Sequence, residues 1–368
     1  MKKGFLLLTI ILSAIFVGCG TQEVKVNETT NQVYSEATTE EAQENETKET
    51  EVVTEETDSE EVVKAVAGEL KAVALKGPTA MGMVEMMNKS DNNQYENMDY
   101  QFTIVSSVDE VAPMLVKKEA DLAAVPANLA SVLYNNTEGQ VQVLAINTLG
   151  VLYIVGTDDN ITSVSDLKGK TVYASGKGAT PEYALNYILQ ENELNAESDL
   201  TVEWKSEHTE CLMALLENPG SVALLPQPFV TTAQMKNSDI KVLVDLNMEW
   251  EKVEAEKEEP SALLTGVIVG RKEYVEANPE AVAEFMKEYE ASVAFVNENV
   301  AEAAELVGGY DIVPKEVAEK ALPYCNITFV AGEEMKEKLS GYLKVLETQN
   351  PKSVGGKLPE DDFYYIGK

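Results

Sequence analysis

Two matched stretches, about a hundred residues apart, constrain this chain most. Each is an apolar run of strand length that breaks at glycine and passes into a helix-forming pattern. The first is the run 70–75, followed by Lys76-Gly77-Pro78-Thr79-Ala80-Met81. The second is the run 171–174, followed by Ser175-Gly176-Lys177-Gly178-Ala179-Thr180-Pro181. The first amides of a helix lack intrahelical partners and carry the positive end of its dipole. Two such turns, one on each of two lobes and facing across a cleft, form a clamp for a small molecule.

The rest of the chain repeats the same grammar. Strand-length apolar runs recur at 101–105, 122–125, 141–146, 151–155, 200–204, 222–225, 240–245 and 263–269, with helical patterns between them. Thr180 is expected to cap a helix with Pro181 at its first position and Ala184, Leu185, Ile188 and Leu189 on one face. Ser107 or Asp109 opens another helix, and 126–133 gives a third. Beyond 279 the pattern is helical, at 279–296, 300–307, 314–322 and 332–346. This alternation predicts an α/β fold with mostly parallel sheets, which bind ligands beyond the carboxyl ends of their strands. The Glu-rich segment 246–260 has no clear period and reads as the end of the second lobe, before a return strand. Together with the run 148–155 it gives two crossings between lobes, which is a hinge. The expected division is lobe 1 over 69–155 and 262–350, lobe 2 over 156–261, and a C-terminal tail over 351–368.

The N-terminus reads as an export signal. Lys2 and Lys3 precede an apolar stretch, 5–17, that is too short to span a bilayer. It ends in Phe16-Val17-Gly18-Cys19, which resembles a bacterial lipobox with Phe in place of the preferred Leu. The resemblance implies a signal peptide over 1–18 and lipidation of Cys19; the alternative is an ordinary secretory signal with an incidental cysteine. From Glu40 to Glu61 there are eleven acidic residues against Lys48 alone. Such a segment cannot bury enough apolar surface to offset its ordering entropy, so 19–68 reads as a disordered acidic tether.

Overall, 63 acidic residues face 29 basic ones, a formal net charge of −34. That balance disfavours nucleic acid, whose phosphates need Lys and Arg. It leaves room for a small anion, because local amides dominate inside a cleft. Three cysteines and one histidine offer no ligand spacing for a structural metal, so neither metal nor cofactor is expected. Cys211 and Cys325 fall in different expected lobes and are read as free thiols, with a disulfide as the alternative.

The ordered set Ala120-Asp121-Leu122-Ala123-Ala124-Val125-Pro126, Ser165-Asp166-Leu167-Lys168-Gly169-Lys170, Gly176-Lys177-Gly178-Ala179-Thr180-Pro181 and Leu225-Pro226-Gln227-Pro228-Phe229 resembles a known family. It is similar to the substrate-binding proteins of ABC importers for nitrate, sulfonates, taurine and thiamine-precursor pyrimidines, over about 69–350. The resemblance implies a two-lobe periplasmic-binding-protein-like fold with two hinge crossings. Many relatives carry Glu where this chain has Gln227. The ligand's identity is therefore not carried over from the family; the turns suit either a small oxyanion or an aromatic heterocycle. The implied partners are an ABC permease and, through Cys19, the outer face of the cell membrane. A monomer is expected.

Candidate ligand contacts follow from the turns and crossings. Lys76, Gly77, Pro78, Thr79, Ala80 and Met81 form the first turn, where Thr79 is either a contact or merely an N-cap. Gly178, Ala179 and Thr180 form the second. Asn128 is either a contact or the cap of its own helix, and Gln227 is poised between the same two roles. Thr148, Gly150, Thr265 and Gly266 lie at the crossings. Trp250 either stacks on a flat ligand or packs in the core. Met81, Met83, Met86 and Met87 read as helix packing. His208 is expected to open a lobe-2 helix away from the cleft. Two rival readings remain: an enzyme on the same fold, such as a pyrimidine synthase or dehydratase, and a surface ligand sensor.

Overall fold

The structure, a computed structural model, describes residues 68–258 and 260–367. The expected leader, the expected lipidation site Cys19 and nearly all of the expected acidic tether lie outside these residues.

The chain runs β1 (Gly68–Leu75), α1 (Pro78–Met81), α2 (Val84–Asp91), β2 (Met98–Val105), α3 (Val108–Val116), β3 (Leu122–Pro126), α4 (Ala127–Asn136) and β4 (Val141–Leu149). It then crosses into β5 (Leu152–Gly156), β6 (Thr171–Ser175), α5 (Thr180–Glu191), β7 (Thr201–Lys205), α6 (His208–Glu217), β8 (Val222–Pro226), α7 (Phe229–Lys236), β9 (Lys241–Asp245) and α8 (Leu246–Glu254). It returns through β10 (Leu264–Arg271), α9 (Lys272–Ala277), α10 (Pro279–Glu298), α11 (Val300–Gly309), α12 (Lys315–Ala321), β11 (Ile327–Ala331) and α13 (Gly332–Gln349).

Two sheets result, one per lobe. The first has strand order β11-β4-β10-β3-β1-β2, and the second β7-β6-β8-β5-β9. Sheet 1 is therefore built from both ends of the described chain, whereas sheet 2 comes from one continuous stretch. The two-lobe α/β fold with two crossings is the architecture expected from the sequence.

The sheets are mixed, not mostly parallel. β1 pairs in parallel with β2 and β3, and β6 with β7 and β8. β10 runs antiparallel to β3 and β4, β11 to β4, and β5 to β8 and β9. The reason is geometric. A strand that enters from the other lobe starts at the shared edge, where the parallel strands end, so it must run the opposite way. β10 begins opposite Pro126 and Thr148, and β5 begins opposite Pro226.

Three local expectations are corrected. The segment from Leu246 is a helix capped by Asp245, whose carboxylate accepts from the amides of Asn247 and Met248. It buries Leu246, Trp250 and Glu254 at helical spacing. β11 interrupts the otherwise helical C-terminal part. Helix α5 is capped by Ala179, not Thr180; the Thr180 hydroxyl instead meets the Tyr342 hydroxyl at 3.0 Å.

Ser107 caps α3 with the reciprocal Glu110 bond of a capping box. The long α10 buries Val282, Phe285, Tyr289, Val293 and Val296 along one face. The residues after α13 pack onto lobe 1. Val354 and Phe363 are fully buried, the Tyr365 amide donates to Val143 O at 2.9 Å, and the Tyr134 hydroxyl meets Asp362 at 2.5 Å. Cys211 and Cys325 are both free and buried, in separate apolar clusters.

Candidate functional site

The site grows from the two sheet edges where the parallel strands end. On lobe 1, β1 gives way to Lys76-Gly77-Pro78. Gly77 has φ 129°, a backbone open to glycine and strained for other residues. The Thr79 hydroxyl donates to Leu75 O at 2.7 Å, which pins the turn to the end of its strand. Thr79 O in turn accepts from the Asn147 side chain at 3.2 Å, and Asn147 Oδ1 accepts from the Thr148 hydroxyl at 3.1 Å. Asn147 and Thr148 are fully buried. A Cβ on Gly266 would stand 2.4 Å from Asn147 Oδ1 and 2.5 Å from Thr79 Cγ2. Thr79, Thr148 and Gly266, read from three separate sequence segments, thus meet around one residue that sequence reasoning missed. The signal for Asn147 was an amide side chain directly after the apolar run 143–146 of β4.

The other lobe-1 candidates diverge. Lys76 Nζ reaches Asp311 at 3.2 Å on the exposed surface. Asn128 is not the helix cap, a position held by Pro126. Its amide donates to Ser353 O at 3.4 Å. Gly150 lies against Leu263, so close that a Cβ would approach the Leu263 side chain to 2.8 Å. The two crossovers therefore run side by side.

On lobe 2, β6 ends in the buried Ser175 and the turn continues through Gly176 and Gly178, both at positive φ. Two of the turn's amides are engaged within the chain. Gly178 N donates to Glu182 Oε2 at 2.6 Å, and Ala179 N to Gly176 O at 3.1 Å. The Tyr183 hydroxyl donates to Gly178 O at 3.2 Å. The Gln227 carbonyl oxygen accepts from the Thr231 amide at 3.3 Å and hydroxyl at 2.9 Å, so it caps the first turn of α7.

His208 is the main correction. It opens α6 as expected, yet it stands at the cleft edge: Nδ1 lies 2.6 Å from Ser175 Oγ. Its ring centroid is 5.0 Å from that of Phe229, at the start of α7. The pattern of α6 alone does not carry this, because it is β7, parallel to β6, that delivers the residues after Lys205 to the same edge. Burial pushes the His208 pKa below its usual 6.5, so the ring is favoured neutral. One turn on, burial pushes the Cys211 thiol up.

Direct bonds hold the two edges together. The Tyr153 hydroxyl donates to Tyr324 O at 3.0 Å, and the Asn326 side chain donates to Gly150 O. Gln349 Nε2 donates to Tyr183 O and Asn350 Nδ2 to the Tyr183 hydroxyl, each at 3.0 Å. Trp250 is fully buried, with its ring between Tyr187 and Tyr342. A concavity of ≈ 670 Å³ lies on lobe 2 between α5 and β7, lined by Lys177, Glu182, Asn186, Gln190 and Trp204 among others. Among the described residues no His, Cys, Asp and Glu cluster suits a metal ion. Nor is any helix among them long and apolar enough to cross a membrane.

Two lobes joined by paired crossovers, with polar turns gathered on facing edges, define a solute-binding protein of the periplasmic type. The profile of the family described as ABC transporter, phosphonate, periplasmic substrate-binding protein matches residues 90–306, and the chain belongs to that family. It is an extracytoplasmic substrate-binding protein of an ABC importer. Solved structures share the fold. An ABC transporter protein from Parabacteroides distasonis is 22% identical, with a TM-score of 0.67 over 80% of this chain and 98% of its own. The periplasmic aliphatic sulphonate binding protein SsuA from Escherichia coli is 14% identical, with a TM-score of 0.64 over 82% and 92%. The desulfurization enzyme DszB is 13% identical, with a TM-score of 0.56 over 77% and 92%. The search of curated proteins found no match.

Proposed function

We propose that the protein is a lipid-anchored, non-enzymatic receptor that captures a small oxyanion between its lobes and delivers it to a membrane permease. What supports this reading is the set of polar groups that each lobe carries at its sheet edge beside the crossovers. Lobe 1 contributes the turn from Gly77 to Met81, tied to Asn147, Thr148 and Gly266. Lobe 2 contributes Ser175, His208 and the Gly178–Thr180 turn. Hydroxyls, amides and a neutral imidazole recognise an anion by hydrogen bonds without needing a full counter-charge. Relatives of the same fold bind aliphatic sulfonates, and the family is described by phosphonate, which supports a tetrahedral oxyanion over a heterocycle.

Calorimetry and thermal melting against methylphosphonate, ethanesulfonate, nitrate and a pyrimidine test the ligand class. Stabilisation by the tetrahedral anions supports the reading. Stabilisation by the pyrimidine alone replaces it with the heterocycle alternative, and no response to any of them sinks it.

The likeness to an enzyme and the Ser175–His208 pair favour a second reading, catalysis. Against it, the Cys211 thiol is fully buried and pushed away from the thiolate form, so it is a poor nucleophile. Turnover of an organosulfur compound such as a sulfonate that H208Q abolishes would revive it. Anchoring through Cys19 predicts that C19S is released into the medium while the parent protein sediments with membranes. A single species at monomer mass in light scattering is expected.

A further inference from the structure

Ser175 and His208 share one bond, and the position of its hydrogen decides what the imidazole can do. Ser175 closes β6 and is only 3% exposed. Its Oγ lies 2.6 Å from His208 Nδ1. A nitrogen donor seldom comes closer to oxygen than about 2.7 Å, whereas a hydroxyl donor reaches about 2.5 Å. The distance therefore marks Ser175 as the donor and Nδ1 as the acceptor. The hydroxyl has a rival acceptor in the Cys211 sulfur, which the Ser175 side chain also meets. A thiol sulfur is a weak acceptor and a neutral imidazole nitrogen a good one. The Cys211 thiol directs its own hydrogen to Glu207 O at 3.5 Å. The Ser175 hydrogen thus belongs to the bond with Nδ1.

In a neutral imidazole one nitrogen accepts and the other carries the hydrogen, so the bond made by the first sets the state of the second. Burial favours the neutral form of His208. With Nδ1 accepting, the ring hydrogen stands on Nε2. Nε2 has no hydrogen-bond partner among the described residues. The ring is half-buried and lies against Phe229, with centroids 5.0 Å apart and planes at 47°. The imidazole is therefore anchored at one nitrogen, braced on one side by an aromatic ring, and carries an unclaimed N–H at the other nitrogen.

We propose that Ser175 is a positioning residue that holds the His208 hydrogen on Nε2, and that this Nε2–H is a lobe-2 donor to the captured oxyanion. The inference rests on the anion-capture reading for its ligand, and it names the atom that makes the contact. The opposite tautomer would turn a lone pair towards the anion and repel it. One buried hydroxyl therefore decides whether the chain's single histidine helps or hinders capture.

Because no other histidine is present, the two ring nitrogens can be read alone in nitrogen-15 spectra of the full chain, purified without a histidine tag. At a pH of about 8 the parent should show a protonated Nε2 and an unprotonated Nδ1, with widely separated shifts. S175A should draw the two shifts together, as the tautomers begin to exchange. S175T keeps the hydroxyl and should restore the separation; if it fails to fold, the parent and S175A still decide. C211A should leave the separation as it is, because the sulfur is not the acceptor. A second arm titrates methylphosphonate and ethanesulfonate, which should move Nε2 and its hydrogen more than Nδ1. H208A should weaken binding about tenfold or more, as expected for losing a hydrogen bond to a charged group. S175A should weaken it less. The inference is overturned if the parent carries its hydrogen on Nδ1, if S175A leaves the shifts unchanged, if C211A collapses their separation, or if either anion binds without moving Nε2. Binding of neither anion, with the tautomer as described, would sink the capture reading and leave the positioning role of Ser175 standing.

Discussion

The two glycine turns look alike in sequence and differ in what surrounds them. The first is tied into its sheet: Thr79 holds Leu75 O, and Asn147 and Gly266 close around it with no spare volume. The second stands further out. Gly178 has nothing within 4 Å of where a Cβ would be, and its amide is taken by the side chain of Glu182. One turn is a rigid anvil built from three strands; the other is a local loop whose donor already has an occupant. Residue type and spacing predict that a turn exists, while its neighbours across the sheet decide how stiff and how available it is.

The largest way to break this comparison is G266A. Its methyl would meet Asn147 and Thr79 well inside contact distance, and overpacking of this kind costs roughly 1–3 kcal/mol. Urea unfolding should read a loss near the top of that range, and a neutral result would mean that the first turn is looser than described. G178A should cost less, about 1–2 kcal/mol, from left-handed backbone strain alone at φ +79°. If the two substitutions cost the same, the distinction between the turns fails.

A smaller effect sharpens the comparison through pH. Ser175, at the root of the second turn, is bonded to His208, whose folded pKa lies below 6.5. The unfolded chain binds the proton more readily than the folded one, so stability is complete above pH 6.5. It declines as the pH falls below 6.5 towards the lowered folded value. Melting curves between pH 7.5 and about 5 should show that decline and H208Q should flatten it, relative to the carboxylate background common to both. The smallest effect is that of E182Q. It should move stability by no more than about 0.5 kcal/mol, as surface changes do. It should nonetheless tighten methylphosphonate binding if the Gly178 amide faces the ligand; unchanged affinity would remove the second turn from the site.

Much of the fold was legible because apolar runs and turn residues announce strands directly. All ten strand runs expected from the sequence are strands, with ends shifted by a residue or a few. What escaped had a physical cause. Helix α8 was hidden because one of its three buried positions is Glu254, a carboxylate that breaks the hydrophobic period. β11 is a short run that pairs only with β4, far away in sequence. At the site, Thr79, Thr148 and Gly266 were chosen individually; nothing in their spacing revealed that Asn147 joins them. His208 was misread because its place at the edge comes from the parallel β6–β7 pairing, which no local pattern encodes.

The dispersal of sheet 1 along the chain has a bearing on how the protein is made. Sheet 2 can assemble as soon as residues 152–245 have been synthesised, since all its strands are local. Sheet 1 must wait for β10 and β11, and its packing is finished only by Phe363 and by Tyr365 docking on Val143. Long-range pairings of this kind form late and slowly. A nascent chain would therefore hold all the strands of sheet 2 while sheet 1 still waits for β10 and β11.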